Sequence, residues 1–263
     1  MRYGYCASSY FMGADDPRGR EIFEAVLAAG YDYVETQLTM LLDLSPERYR
    51  EFKRMLTVPC KVAMMIFPYS MPLVSEDRDL RAVTEHAKKT LAIAEDLGCE
   101  LLVFGHGGTR AVPEGMAYDL AYRRLVEILQ LLGSLSAIKI AVEPLCDTNM
   151  ITSYPEAAKL ARDCGESVGA VFDLYHSAML GQTPADILQA PDKLFHLHIA
   201  NPTGRALPAQ GDDYAAFADA AKQCNYNKRI SVEANLLPEA NAARAITEAL
   251  HVTRNYFSEE TKR

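Results

Sequence analysis

The chain contains 263 residues, of which 49% are hydrophobic and 24% are charged, and its formal net charge is −8. These fractions are typical of globular proteins, and the length suffices for one domain over residues 1–263 with a full hydrophobic core. An acidic chain without a basic stripe argues against a nucleic-acid partner, because phosphate backbones are recognised by clustered Lys and Arg.

Short apolar runs that end in polar residues recur along the whole chain and predict eight β-strands. The predicted strands span residues 3–7, 31–37, 61–67, 101–105, 139–143, 170–173, 194–200 and 230–233. Because these runs are spread over the full length, the strands belong to one repeating arrangement.

Helix-like segments separate the predicted strands. Helix starts are predicted at Asp16-Pro17, Ser45-Pro46, Ser75 and Thr183-Pro184. The segment after Ser75 has apolar residues every three or four positions, which is typical of a helix with one buried face. Gly30 and Gly98 are predicted to end their helices, because glycine readily adopts the left-handed conformation found there.

Strand and helix alternate eight times, at roughly 33 residues per unit, which is the repeat of a (β/α)8 barrel. An open doubly wound sheet is the rival, but the segment after the first strand, CASSYFMGAD, lacks a glycine-rich phosphate-binding fingerprint. The fold class predicted from the sequence is therefore α/β, a single-domain (β/α)8 TIM barrel.

Cysteine usage and the first residues favour the cytoplasm. The six cysteines are widely spaced and form no Cys-x-x-Cys pair, unlike a disulfide scaffold or a zinc knuckle. The opening MRYGYCASSY lacks the apolar core of a secretion signal, and no segment approaches about 18 consecutive apolar residues. We expect reduced thiols, a cytoplasmic location and no membrane partner.

Four of the later strands end in residues that can bind metal ions: Glu143, Asp173, His198 and Glu233. A single charged residue at a strand end is commonly a solvated edge or a helix cap, but these four lie about one β/α unit apart and would meet at the carboxyl end of the barrel. Crowded carboxylates repel one another unless a cation lies between them. Three carboxylates and one imidazole predict a divalent cation, with Mn²⁺ first, then Mg²⁺ or Co²⁺, and Zn²⁺ last.

The motifs around these residues add a family resemblance. The segments VFGHGGTRAVPEG, AVEPLCDTNMITSYPEA, FDLYH, HLHIANPTGR and SVEAN resemble the xylose isomerase-like barrels, specifically the sugar isomerase and epimerase group with ketose 3-epimerases and hydroxypyruvate isomerase. The resemblance runs from the fourth to the eighth strand. It implies that Glu143, Asp173, His198 and Glu233 hold the metal and that the two glutamates are the catalytic acid/base pair.

The resemblance also implies that His176 and Arg205 bind substrate oxygen. His106, in a glycine-rich loop, is either a substrate contact or the donor of a loop hydrogen bond, and both interpretations stay open. The chain contains no Trp, so that Tyr5, Phe67 or Tyr69 would have to frame a sugar. Among the other histidines, His196 is predicted to pack inside the barrel, and His86 and His251 are predicted to lie on helix surfaces.

The implied activity is isomerisation or epimerisation of a small keto-sugar or related hydroxy-carbonyl compound through a metal-stabilised enediolate. One alternative on the same barrel is a keto-inositol dehydratase. Others are an apurinic-site endonuclease, which would need a three-zinc cluster with many histidines, and a sugar-binding barrel without catalysis. The expected partner is the sugar itself, and assembly into a homo-oligomer is left open.

Overall fold

Eight parallel strands pair in chain order, and the last pairs with the first, which closes a barrel. This is a computed structural model that describes residues 1–7, 17–237 and 239–258. The strands are β1 Arg2–Cys6, β2 Tyr33–Gln37, β3 Cys60–Met64, β4 Leu101–Phe104, β5 Lys139–Val142, β6 Val168–Asp173, β7 Leu194–Ile199 and β8 Arg229–Val232. The predicted (β/α)8 barrel is confirmed.

Helices connect successive strands, so each strand re-enters the barrel in the same direction. The α-helices are α1 Pro17–Ala28, α2 Leu38–Leu42, α3 Pro46–Met55, α4 Leu80–Leu97, α5 Gly107–Arg110, α6 Tyr118–Leu135, α7 Tyr154–Cys164, α8 Leu174–Met179, α9 Ala215–Gln223 and α10 Ala242–Phe257. Two 3₁₀-helices, Pro184–Gln189 and Pro191–Lys193, precede β7. Across the described ranges, each helix is too short or too polar to traverse a lipid bilayer.

The strands present alternate residues to the barrel axis and to the surrounding helices, because side chains along a strand point to opposite faces. A small buried cluster that includes Tyr33, Ala141 and Val171 fills the axis, while a larger cluster lies between strands and helices. Two positions further along the same strands stand Glu35, Glu143 and Asp173. By this alternation the carboxylates at the strand ends also face the axis.

One helix start differs from the sequence predictions. The helix predicted to start at Ser75 is α4, which begins at Leu80 and is capped by Asp79, whose side chain accepts hydrogen bonds from the backbone of Arg81 (2.9 Å) and Ala82 (3.1 Å). Ser75 instead donates a hydrogen bond to Asp77 in the preceding turn. An aspartate directly before the helix satisfies two free backbone N–H groups, which Ser75 lies too far away to reach.

The segment after Thr183 is a 3₁₀-helix, Pro184–Gln189, closed by Pro191, which leaves no room for a longer helix. Other predicted ends agree: Ser45 accepts a hydrogen bond from Arg48 N at the start of α3, and Gly98 ends α4 with a φ of 72°. Asp16 lies outside the described residues. His86 is half-buried, and its Nε2 is hydrogen-bonded to Ile66 O at 3.0 Å, so the predicted surface position was wrong.

Candidate metal centre and its cavity

The carboxyl ends of β5 to β8 place Glu143, Asp173, His198 and Glu233 at one point. Each residue offers one ligand atom, and these four atoms all lie within 4.8 Å of one another. Glu143 and Glu233 directly follow their strands, whereas Asp173 and His198 lie within theirs. The four residues that the sequence predicted to meet are thus brought together, because equal spacing along the chain becomes proximity around a barrel.

His198 Nδ1 is the centre of this cluster. It lies 2.8 Å from Glu143 Oε1, 2.8 Å from Glu233 Oε2 and 3.6 Å from Asp173 Oδ2. One nitrogen can donate only one hydrogen, and it is bonded to Glu143. Within the described part of the chain, the buried Glu233 Oε2 therefore has no hydrogen-bond partner.

The electrostatics of the cluster reflect this crowding. Burial, and then the charge of Glu233, raise the pKa of Glu143 above its usual range. Burial would lower the pKa of His198, but the charges of Glu35, Glu233 and Glu143 outweigh burial and hold it well above normal. Burial would likewise raise the pKa of Asp173, yet His198, His176 and Arg205 hold it low. The negative charge of the three carboxylates therefore exceeds the positive charge of the residues around them.

The donor set fits a divalent cation. Three carboxylate oxygens and one imidazole nitrogen converge from four strands, and the buried Glu233 Oε2 has no hydrogen-bond partner among the described residues. Hard and borderline cations such as Mg²⁺ and Mn²⁺ prefer oxygen ligands, and imidazole suits the transition metals. Glu143, Asp173, His198 and Glu233 would hold the ion.

Two neighbouring residues position Glu143. Gly105 leaves room for its carboxylate, because a Cβ atom at Gly105 would lie 2.6 Å from Glu143 Oε2. The fully buried Arg110 donates hydrogen bonds to the backbone carbonyls of Glu143 (2.7 Å), Phe104 (3.2 Å) and Ile151 (3.2 Å). These bonds hold the ends of β4 and β5 together and fix the backbone from which the Glu143 carboxylate projects.

A cavity of about 460 Å³ opens beside the cluster. His106, His176 and Arg205, the three residues predicted to bind substrate, all line it, as do Gln37 and Tyr69. The aromatic prediction holds only in part: Tyr69 lines the cavity and is 70% exposed, while Tyr5 and Phe67 are fully buried in the core.

Arg205 is held in a strained backbone conformation against the carboxylates. Its φ of 55° is uncommon for a side-chain-bearing residue, and such strain persists where surrounding contacts enforce it. Its Nη2 lies 2.8 Å from Glu233 Oε1 and 4.0 Å from Asp173 Oδ2, and its guanidinium lies 5.2 Å from the centre of the Tyr175 ring. Arg205 therefore places a fixed positive charge at the edge of the cluster.

His176 and His106 present their rings to the cavity differently. His176 Nδ1 accepts a hydrogen bond from the backbone N–H of Cys146 at 3.2 Å, which places the proton of the neutral ring on Nε2. The His106 side chain is buried, yet among the described residues neither ring nitrogen has a hydrogen-bond partner. Burial, and then the charge of Arg110, lower the pKa of His106 to about 4, so it is neutral at pH 7.

Sequence reasoning missed Glu35, which lies in the middle of β2 and contacts both histidines of β7. Two strand residues follow Glu35, so the strand-end rule that marks the other four residues does not mark it. Thr36 and Gln37 follow it directly. Glu35 therefore does not stand out as a single charged residue after an apolar run, as the residues of the later strands do.

The fold and the strand-end cluster define a (β/α)8 barrel with a candidate metal centre at its carboxyl end. The chain belongs to the xylose isomerase-like TIM barrel family, whose model matches residues 23–256. This confirms the resemblance read from the motifs. No curated protein sequence matches the chain.

Solved structures with the same fold include several sugar epimerases. D-allulose 3-epimerase from Methylomonas sp. in complex with D-allulose has a TM-score of 0.81 and 20% identity, covering 97% of both chains. The 3-keto-D-glucoside 4-epimerase YcjR from E. coli has a TM-score of 0.76 and 19% identity, covering 97% of this chain and 99% of its own. The IolI protein with a bound zinc atom has a TM-score of 0.76 and 19% identity over 100% of both chains. At these identities the likeness shows the fold.

Proposed function

We propose that the protein is a divalent-metal-dependent isomerase or epimerase of a keto-sugar or related hydroxy-carbonyl compound. The observation that carries this proposal is the meeting of Glu143, Asp173, His198 and Glu233 beside a polar cavity. Family membership and the epimerases that share the fold support it. Mn²⁺ is the cation we favour, because the donor set is rich in oxygen.

We assign the acid/base roles to Glu143 and Glu233. Their strands, β5 and β8, are separated by β6 and β7, so their carboxylates approach the centre from different sides. One glutamate removes a proton from the carbon beside the carbonyl, and the other returns a proton to that carbon from the opposite face or to the neighbouring carbon. The first outcome is epimerisation, and the second is isomerisation.

The remaining residues stabilise the negative charge that develops on the carbonyl oxygen. A bound divalent cation would act as a Lewis acid on that oxygen. Arg205 carries a fixed positive charge, and His176 offers its Nε2 proton, and both residues line the cavity. A well-aimed donor of this kind is worth about 2.7–4 kcal/mol in the transition state. His106, which is buried and has no hydrogen-bond partner among the described residues, would bind a substrate hydroxyl.

The charges around the cavity favour a substrate without a phosphate group. Among the residues that the structure describes, the charged ones that line the cavity are Glu143, Asp147, Glu233 and Arg205. Arg205, the cation in this set, is already paired with Glu233 at 2.8 Å. A phosphate needs unpaired positive groups or several backbone N–H donors, whereas hydroxyl groups suit neutral histidines and carboxylates.

To test this proposal, the protein is incubated in D₂O with Mn²⁺ and one of four kinds of compound: ketoses, phosphorylated ketoses, hydroxypyruvate or keto-inositols. NMR then detects deuterium bound to carbon. We expect deuterium beside the carbonyl of an unphosphorylated ketose, followed by its epimer or isomer. Loss of water from a keto-inositol would instead identify the dehydratase alternative. An absence of exchange in every compound would contradict an enzymatic function and leave the sugar-binding alternative.

The endonuclease alternative is disfavoured by the ligands themselves. The four-residue cluster contains a single histidine, whereas a three-zinc site would need many. The net charge of −8 also opposes binding to a phosphate backbone.

Removing either oxygen-binding residue should lower turnover while leaving metal content unchanged. We expect Arg205→Ala and His176→Ala to reduce kcat by roughly one to three orders of magnitude, the range for loss of an oxyanion donor. The His176 backbone N–H still bonds to Asp173 Oδ1 (2.8 Å) after truncation of the side chain, so this ligand stays in place. Kinetics and elemental analysis together check the prediction.

Exposed residues of the same types provide matched controls. Arg81→Ala on α4 and His251→Ala on α10 should leave both kcat and metal content at wild-type values. Loss of metal from the Arg205 or His176 variant would show that the residue is a ligand or a structural partner, contrary to the assigned role.

A further inference from the structure

Beneath the metal centre, a chain of buried polar groups crosses the barrel interior. Glu35 Oε1 and Oε2 each lie 3.3 Å from His198 Nε2, and Glu35 Oε2 lies 3.2 Å from His196 Nε2. His196 Nε2 also lies 3.2 Å from Ser231 Oγ, which is 2.9 Å from Tyr33 Oη. All five residues are fully buried. A charged group in a barrel core is costly unless it is paired, so this network requires an explanation.

The two nitrogens of His198 face different neighbours. Nδ1 points to the three carboxylates of the candidate metal site, and Nε2 points to Glu35. A neutral imidazole can bind a metal through one nitrogen only if the other carries the proton. Metal-binding histidines commonly donate that second N–H to a carboxylate, which fixes the tautomer and the ring orientation.

We propose that Glu35 is a positioning residue of the metal centre, which accepts the Nε2 proton of His198 and thereby presents Nδ1 to the cation. The inference rests on the proposed function, because it assumes that the cluster holds a metal. Glu35 is contributed by β2, which is separated from β7 by β8 and β1, so the bond also fixes the ring from another strand across the barrel interior.

The rest of the network holds Glu35 in place. His196 contacts one carboxylate oxygen of Glu35, and Ser231 and Tyr33 continue the chain of hydrogen bonds to the other side of the barrel. Gly4 makes room for Tyr33, because a Cβ atom there would collide with the Tyr33 ring. Ser231 and Tyr33 connect to Glu35 through His196, so their removal should affect His198 less than removal of Glu35.

Glu35, His196 and His198 could also hold a second metal ion, because each offers a ligand atom and these atoms lie within 4.8 Å of one another. We favour positioning over a second ion, because these atoms lie at hydrogen-bond distances and are fully buried. A second ion bound through His198 Nε2 would moreover require an imidazole without any proton. The two possibilities differ in the number of ions bound per chain.

The experiment compares wild-type protein with Glu35→Gln and Tyr33→Phe, using Zn²⁺ as the probe in competition with a chromophoric chelator. Gln keeps an acceptor oxygen but removes the negative charge, so we expect a Zn²⁺ affinity about 10–100-fold weaker, with one ion per chain. Tyr33→Phe removes a buried hydroxyl of the same network without touching His198, and its affinity should match the wild type. Equal affinities of Glu35→Gln and wild type would overturn the proposal.

A second readout uses the wild-type protein alone and does not depend on a variant that folds. In ¹H–¹⁵N spectra of Zn²⁺-loaded, histidine-labelled protein, we expect the His198 proton on Nε2 and the metal on Nδ1. A proton on Nδ1, or two Zn²⁺ ions per chain, would overturn the positioning role while leaving the proposed function intact. A wild-type protein that binds no Zn²⁺, Mn²⁺ or Co²⁺ would instead overturn both.

Discussion

Replacement of Glu143 by glutamine should abolish net inversion or isomerisation of the substrate while much of the bound metal is retained. Glutamine keeps the size of the side chain and one coordinating oxygen, but it has no basic carboxylate. Arg110 bonds to the backbone carbonyl of Glu143, so the main chain is held in the same place in the variant. We expect turnover to fall by about 10²–10⁴-fold, the contribution of a positioned acid/base group.

Glu233→Gln should lower turnover by a similar factor, but the two variants should differ in deuterium exchange. Arg205 bonds to Glu233 Oε1 at 2.8 Å, while the Glu143 carboxylate bonds to His198 Nδ1 and burial raises its pKa. With an epimerisable ketose in D₂O, each variant should incorporate deuterium into only one of the two epimers. The epimer that is labelled by Glu143→Gln should be the one that Glu233→Gln leaves unlabelled. NMR of both epimers measures this exchange.

The control for the glutamate variants is Glu24→Gln on α1, an exposed residue paired with Arg20, which should keep wild-type activity. Metal content is measured alongside kinetics, because Glu143 and Glu233 are also candidate ligands. Near-wild-type inversion by both variants with the metal bound would mean that the glutamates serve only as ligands and that another group removes the proton.

The four residues of the candidate metal site were predictable, because residues spaced about one β/α unit apart along the chain lie close together at one end of a barrel. Glu143, Asp173 and Glu233 each end an apolar run, and their spacing of about one β/α unit, together with His198, marked them as one site. Alternation along the strand then directs each side chain to the axis. Glu35 lies in the middle of β2, ahead of two further polar residues, so its partnership with His198 became visible only from the distances between them.

Local choices among similar residues could not be predicted from the sequence. Ser75, Asp77 and Asp79 are all able to cap a helix, and the start of α4 depends on which of them meets the free backbone N–H groups. Likewise, the aromatic residue beside the cavity could have been Tyr5, Phe67 or Tyr69. Packing of the barrel buries the first two, and this packing depends on contacts among distant segments.

Asp173→Asn should cost the protein its metal, and with it all catalytic activity. Asp173 has two separate tasks, since Oδ1 accepts a hydrogen bond from His176 N at 2.8 Å and Oδ2 faces His198 Nδ1 at 3.6 Å. Asparagine can still cap α8 through its carbonyl oxygen, but it removes one of three negative charges around the cation. We expect metal affinity to fall by more than the roughly 10–100-fold typical of an outer-shell change. His198→Ala should have the same effect.

Elemental analysis and thermal unfolding, with Mn²⁺ and after dialysis against EDTA, measure this loss. A cation that binds only the folded chain adds about 2.7 kcal/mol of stability at a concentration of 100 times its Kd. The wild type should therefore gain stability with Mn²⁺, whereas Asp173→Asn should unfold alike with and without it. The matched control is Asp79→Asn, which changes a helix-capping aspartate on α4 remote from the centre and should retain the response to Mn²⁺. Three zinc ions per chain, or activity that survives EDTA, would contradict the single four-ligand centre.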